Sequence, residues 1–291
     1  MSKNRCFKAG AWVAAALVGL AGPAFAGWDA LNMTKGVTDL SEIIYGLHMM
    51  IFKWCLAIAI VVFGAMIYSI VRFRKSRGAV ADTSLLHSNK AELIWTVIPV
   101  IILVVMAVPA AQALIKIEDT RNSELTIKVT GYQWKWQYDY LESGVNFFST
   151  LAESSNFARQ RGSGIDPATV ENYLLEVDHH MVIPVDTKVR LLLTGNDVIH
   201  AWWVPALGMK KDAIPGFINE MWIKAHETGT FRGQCAELCG RDHGFMPIVV
   251  DVVSKEEFTR WLESQKPAPE AAPPAPATES AAPTAPATTN P

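Results

Sequence analysis

The sequence predicts a membrane-anchored all-β protein, with a two-helix transmembrane hairpin followed by an antiparallel β-sandwich or barrel. Three observations predict it. Two uncharged apolar runs, each long enough to help cross a bilayer, lie between Trp54 and Ile115. A short loop rich in Lys and Arg joins them. After Arg121 the chain breaks into short runs in which apolar and polar residues roughly alternate, with Gly, Pro, Asn and Asp in the gaps.

The chain opens with "MSKNRCFKAGAWVAAALVGLAGPAFAG", in which a basic patch (Lys3, Arg5, Lys8) and an apolar core precede Ala24, Phe25 and Ala26. This pattern predicts a cleavable export signal over 1–26. No Leu-x-Gly-Cys precedes Cys6, so lipoprotein processing is not expected. The first crossing is "WCLAIAIVVFGAMIYSIV", Trp54 to Val71, lengthened by the preceding "IIYGLHMMIFK" to a helix over about 43–71. The second is "LIWTVIPVIILVVMAVPAAQALI", Leu93 to Ile115, a helix over about 93–115. Pro99 and Pro109 inside it each remove a backbone hydrogen bond, which predicts a local bend or packing against other helices.

The joining loop carries Arg72, Arg74, Lys75, Arg77 and Lys90 against Asp82 and Glu92. The positive-inside rule puts it in the cytoplasm, so both termini face outward. The hairpin segment is thus expected over 27–118 and a folded outer domain over 119–265. Its strand-like runs are "LTIKVTGYQWKWQYDY", "NYLLEVDHHMVIPVDTKVRLLLTG", "AWWVPAL", "NEMWIKAHETGTFRGQC" and "MPIVVDVV". The stretch Ser143 to Glu171 breaks the pattern and reads as a surface excursion. The Pro/Ala-rich end, 266–291, lacks the apolar residues to fold and is expected to be disordered.

The formal net charge of −2 becomes −5 once Lys3, Arg5 and Lys8 leave with the signal. A mildly acidic chain disfavours a nucleic-acid partner. Of four cysteines, Cys6 leaves with the signal and Cys55 lies in an apolar run. Only Cys235 and Cys239 remain for chemistry outside the membrane.

Those two stand in "GQCAELCGRDHGFM", with His243 and Met246 close behind. A disulfide between them would persist in an exported domain. It would close a very short loop and leave His243 and Met246 without a purpose. Structural zinc prefers Cys and His and rarely recruits a thioether. Copper suits thiolate, imidazole and a weak Met ligand, and His200 in "NDVIHAWWVPALG" offers a second imidazole after the strand-like "KVRLLLTG". A mononuclear copper site uses a single Cys, so the second is surplus. Two thiolates can instead bridge two copper ions, each with a terminal His, and Met246 and a backbone carbonyl would complete the set.

Together, "GQCAELCGRDHGFMPIVV", "DVIHAWWVPALGMKKDAIPG" and "GYQWKWQY" closely resemble subunit II of the haem-copper cytochrome c oxidases. The resemblance runs from the first membrane helix to about Ser254. It implies a cupredoxin-like Greek-key β-sandwich on the hairpin, in the periplasm of a bacterial inner membrane. It also implies a dinuclear copper centre, CuA, with ligands His200, Cys235, Cys239, His243, Met246 and the backbone carbonyl of Glu237. The Glu237 carboxylate would hold a magnesium or manganese ion at the contact with subunit I, hard oxygen suiting such an ion.

Trp134 would be the residue over which the electron arrives from a soluble or membrane-tethered cytochrome c. On a strand it would share a face with Trp136, which alone would suggest two core residues. Glu92 would supply a carboxylate at the mouth of a proton-uptake path, although such a residue often only favours a helix N-terminus. Asp197 and Asp212 would belong to the cytochrome-facing surface. Between Arg121 and Gln265 there are 19 acidic and 14 basic residues, which suits a basic carrier but also an ordinary soluble surface. Lys135 and Phe217 depart from the family pattern. His48, His87, His179, His180 and His226 match no copper position.

The implied function is electron input to a proton-pumping terminal oxidase, with the haems in subunit I and subunit III as a further partner. A metal-free quinol-oxidase-like subunit would not need the ligand set. A nitrous-oxide reductase would need a large additional domain. No Cys-x-x-Cys-His occurs in the tail, so a fused c-type haem is not expected.

Overall fold

The computed structural model describes residues 32–80, 84 and 87–265. The export signal and the Pro/Ala-rich tail expected from the sequence lie outside the described residues.

Two long helices come first, α1 (Asp39–Arg72) and α2 (Asn89–Ile117). Both start about one turn before the apolar runs. The cause is capping: Thr38 Oγ1 accepts from the Ser41 backbone N–H while Ser41 Oγ accepts from the Thr38 N–H. Ser88 caps α2 in the same manner through the Ala91 N–H. At about 1.5 Å per residue, 34 residues exceed a ~30 Å hydrocarbon core, so one end of α1 extends beyond it. Pro99 and Pro109 both lie within the continuous α2.

The start of α1 docks on the outer domain. Leu40 is fully buried, Thr38 Oγ1 donates to the Leu207 carbonyl at 2.9 Å, and the Val37 N–H donates to Ala206. His226 bridges Asp39 and Asp186 across the same junction. The end of α2 is held by the Trp222 indole, which donates to the Lys116 carbonyl at 3.2 Å.

The outer domain contains β1 (Leu125–Tyr132), β2 (Lys135–Tyr140), β3 (Val145–Ser149) and the short α3 (Glu153–Ala158). It continues with β4 (Met181–Pro184), β5 (Val189–Gly195), β6 (His200–Trp203), β7 (Lys210–Ala213) and β8 (Asn219–Ile223). β9 (Gly229–Cys235), β10 (Pro247–Val253) and α4 (Lys255–Gln265) complete it. The strands form two five-stranded sheets, β3-β2-β1-β5-β8 and β4-β10-β9-β6-β7. A purely antiparallel sandwich is not what forms: β1 pairs in parallel with β5, and β4 with β10. The chain crosses between the sheets repeatedly, once by the long connection from β3 to β4 and otherwise by short ones, so strands distant in sequence run side by side.

Three elements escape the alternation pattern. β3 occupies the start of the expected excursion, β7 is the short "KKDA", and α4 follows the last strand. α4 is amphipathic and sets Phe258 and Trp261 against Tyr140 and Phe147. Elsewhere the period of two holds, and alternate residues of β2 and β5 are buried. Fully buried Trp136, Trp202, Tyr138 and Tyr140 lie between the sheets. Each such side chain contributes about 1.5–3 kcal/mol by leaving water. Their polar atoms are met: Tyr140 Oη donates to the Val182 carbonyl, and the Trp202 indole donates to Tyr138 Oη.

The segment that leads from the excursion into β4 is fastened by His180, whose ring lies 2.8 Å from Asp251 on one side and 2.8 Å from Glu176 on the other. Arg232 holds Glu176, and Thr230 donates to Asp251. The Asp251 hydrogen bond outweighs partial burial and raises His180 above the usual histidine value. Burial alone would raise Asp251 and Glu176, but His180 beside the first and Arg232 beside the second hold both low. The histidine contribution is therefore complete below about pH 6.5 and fades as pH rises through the elevated value, while the carboxylates sustain it above about pH 4. His180→Gln is expected to lower the melting temperature more at pH 5.5 than at pH 8.5. An equal loss at both would contradict the reading.

Candidate metal centre

β6 and β9 are neighbours, with Trp202 opposite Cys235, so the start of one strand and the end of the other lie side by side. This puts His200, the first residue of β6, next to Cys235, the last residue of β9. The loop from β9 to β10 then returns Cys239, His243 and Met246 to the same place. Close backbone approach is a condition of this arrangement. A Cβ on Gly131 of β1 would stand 2.8 Å from the His200 ring, and one on Gly233 would stand 2.0 Å from the Trp203 carbonyl oxygen.

His200 is fully buried, and Cys235, Cys239 and Met246 are each at most 5% exposed, while His243 is half-buried. The Cys235 and Cys239 sulfurs are free thiols 3.9 Å apart, so the disulfide alternative does not form. His200 Nδ1 is 4.0 Å from the Cys235 sulfur, and His243 Nδ1 is 3.5 Å from that of Cys239. The Met246 sulfur is 3.5 Å from Cys239 Sγ, and the Glu237 carbonyl oxygen is 3.4 Å from Cys235 Sγ. Two ligands on one metal at about 2.0–2.3 Å each stand no more than ~4.6 Å apart. Every one of these separations fits that limit, and the donor set of thiolate, imidazole and thioether is soft.

Burial alone would raise Cys235, but the His200 ring and nearby backbone bring it below the usual thiol value. Burial and then the charge of Cys235 push Cys239 up to about 12. Burial would lower His200, but Cys235 and Asp197 on either side of the ring raise it.

Asp197 occupies an unexpected place. Its carboxylate accepts from the Gln133 and Val198 N–H groups at 2.8 and 2.7 Å and lies 2.9 Å from His200 Nε2. Burial opposes its charge, but these partners hold it below the usual carboxylate range. With Nε2 so engaged, Nδ1 is the nitrogen that faces the sulfurs. Asp212 lies on β7 next to the half of β6 that carries His200.

Trp134 is not on a strand with Trp136, because β2 begins at Lys135. It lies in the β1–β2 turn, half-buried, and its indole donates to the Cys239 carbonyl at 3.2 Å. Gln133 donates to the same carbonyl at 2.8 Å. Trp136 is fully buried, meets the His200 ring edge-on, and donates to the Met246 carbonyl. Sequence reasoning missed Gln133 and Gly131, although both stand in the quoted "GYQWKWQY". Lys135 lies over the Phe148 ring and Arg241 over that of Trp134.

The Glu237 side chain is exposed beside the centre, and Glu92 is in the first turn of α2 at the opposite end of the hairpin from the sandwich. Phe217 is 66% exposed. His48 contacts Asn32, and His179 lies near Asp178.

A helical hairpin of membrane-crossing length, joined to a β-sandwich with buried thiols beside two imidazoles at one edge, defines a membrane-anchored protein with a candidate metal site. Residues 125–253 match the family "Cytochrome C oxidase subunit II, periplasmic domain", and residues 26–113 match "Cytochrome C oxidase subunit II, transmembrane domain". The probable cytochrome c oxidase subunit 2 of Rickettsia bellii (strain RML369-C) is 39% identical over 229 residues, 78% of this chain and 81% of that protein. The cytochrome c oxidase subunit 2 of Cereibacter sphaeroides is 37% identical over 218 residues, 72% of each chain. The crystal structure of the periplasmic domain of subunit II of Bradyrhizobium japonicum cytochrome oxidase is 45% identical, covers 50% of this chain and 96% of that one, and gives a TM-score of 0.43. The chain belongs to the cytochrome c oxidase subunit II family, and is a membrane-anchored subunit of that oxidase.

Proposed function

We propose that this chain is the electron-input subunit of a proton-pumping terminal oxidase, accepting single electrons from cytochrome c at a dinuclear CuA centre and passing them to a haem of subunit I. One observation carries the reading: two buried, unlinked cysteine sulfurs 3.9 Å apart, flanked by two imidazole nitrogens, a thioether and a backbone carbonyl. These ligands would hold two copper ions, which would supply one-electron transfer, and the buried, closely packed ligand set would keep its geometry through the change.

The chain's own residues do the rest. Cys235, Cys239, His200, His243, Met246 and the Glu237 carbonyl hold the ions, and the packing of Trp136 and Gly131 fixes the His200 ring. Asp197 orients that ring through Nε2. Trp134 joins the protein surface to a ligand backbone through one hydrogen bond, which supports its role as the point of electron arrival. The Glu237 carboxylate, free of the copper set, holds magnesium or manganese at the subunit I contact. The acidic outer domain, with Asp212, draws a basic cytochrome toward it. Subunit III completes the complex.

The sandwich, 119–265, faces the periplasm of a bacterial inner membrane on a hairpin within 27–118, after a signal over 1–26. Rapid anaerobic mixing of the oxidase with reduced cytochrome c tests the order of events. Copper is expected to gain an electron before the haem of subunit I. Haem reduction with copper lagging would overturn the proposal.

Glu92 supplies a carboxylate for proton uptake on the cytoplasmic side. Glu92→Gln is expected to slow oxidase steps that draw protons from that side by an order of magnitude while leaving copper reduction by cytochrome c unchanged. Time-resolved proton uptake and copper reduction on the same variant decide, and equal slowing of both would count against the role.

A further inference from the structure

The hairpin and the sandwich together flank an open crevice that the electron-transfer reading does not use. Its upper compartment, 420 Å³, lies at the junction of both helices with the sandwich and is lined by Glu42, Lys116 and Trp222 among others. Its lower compartment, 240 Å³, runs between the helices past Ile43, Leu47, Met50, Pro109 and Ala113. Glu42, Ile43 and Lys116 line both, so the two compartments adjoin.

Most charges of the upper compartment are engaged. Lys188 donates to the Asp119 and Arg121 carbonyls and lies over Trp222, Asp119 pairs with Arg121 at 2.7 Å, and Asp39 pairs with His226. Among the described residues, the side chains of Glu42 and Lys116 have neither a hydrogen bond nor an ion pair. They face one space with opposite charge and do not meet each other. They also sit where the helices reach the sandwich, so the crevice opens at the outer membrane surface. Below them the walls become apolar over successive turns, through Glu42, Gly46 and Met50 on α1 and Lys116, Gln112 and Pro109 on α2. Gly46 leaves the slot open, since a Cβ there would meet no atom within 4 Å.

We infer that this crevice binds a zwitterionic phospholipid with a primary ammonium headgroup. The lipid phosphate pairs with Lys116 and its ammonium with Glu42, as charge-assisted hydrogen bonds. An acyl chain enters the slot between the helices. A bilayer lipid carries both charges and the apolar chain in the order in which the crevice presents their partners. A primary ammonium donates hydrogen bonds to a carboxylate, which a quaternary one does not.

The test uses the assembled oxidase in vesicles of phosphatidylcholine doped with spin-labelled phosphatidylethanolamine, phosphatidylcholine or phosphatidylglycerol. The motionally restricted fraction is expected to be largest for phosphatidylethanolamine. Gly46→Leu, which fills the slot, and the double variant Glu42→Gln with Lys116→Gln are each expected to reduce that excess several-fold, with the copper spectrum unchanged. Equal restriction of the three lipids, preference for the anionic lipid, or an excess that survives Gly46→Leu would overturn the site. So would efficient cross-linking of a Gly46→Cys variant to a helix of subunit I, because the slot would then hold protein.

Discussion

Cys235→Ser and Cys239→Ser are each expected to abolish the paired copper centre, and with it nearly all cytochrome c oxidation by the complex. A serine hydroxyl stays protonated at neutral pH and is a hard, weak donor, so it cannot replace a thiolate that two soft ions share. Between them the two sulfurs reach the other ligand atoms: Cys235 faces His200 and the Glu237 carbonyl, while Cys239 faces His243 and Met246. Losing either removes one half of the bridge. Glu237→Gln is the matched control, because its side chain is exposed and the backbone carbonyl survives the change. Metal analysis and electron paramagnetic resonance on the three variants, with a thermal melt to show that each is folded, check the claim. A serine variant that kept two coppers and a shared spin would contradict it.

Trp134→Ala is expected to slow reduction of the copper centre by an order of magnitude or more while weakening cytochrome binding far less. The indole spans the distance from a half-buried surface position to the Cys239 carbonyl, and alanine leaves that path without atoms. The charges that govern association remain. Asp212→Asn is expected to do the reverse, weakening association and flattening its salt dependence, since exposed charges are screened over ~8 Å at physiological ionic strength. Asp197→Asn is expected to combine a smaller salt effect with a changed copper spectrum, because its carboxylate is bonded to His200. Stopped-flow reduction over a salt series separates these cases. If saturating cytochrome reduces the Trp134→Ala centre at the unmodified rate, the tryptophan only packs against the loop.

The hairpin was legible because uninterrupted apolar runs are a local property, and the ligand loop because its spacing is local too. Helix starts were not, since Thr38 and Ser88 are polar residues outside the apolar runs and act through caps. The amphipathic α4 was available in principle from Phe258, Trp261 and Leu262, whose spacing fits one helical face. What no local pattern carries is contact between distant segments. The bonds from Gln133 and Trp134 to Cys239, and the packing of Gly131 against His200, exist only after β1 and the loop from β9 to β10 have been folded together. The same holds for Asp197, which reads as a surface charge in the sequence and is a partner of the buried His200 in the fold. Parallel pairing of β1 with β5 likewise joins segments distant in sequence, which alternation does not report.

The copper stoichiometry and spin state of the purified oxidase test the central claim most directly. The expected result, after subtraction of any copper held by other subunits, is two copper ions per chain with one unpaired electron delocalised over both, lost together in Cys235→Ser. One copper per chain with a localised mononuclear spectrum, or no copper at all, would contradict it.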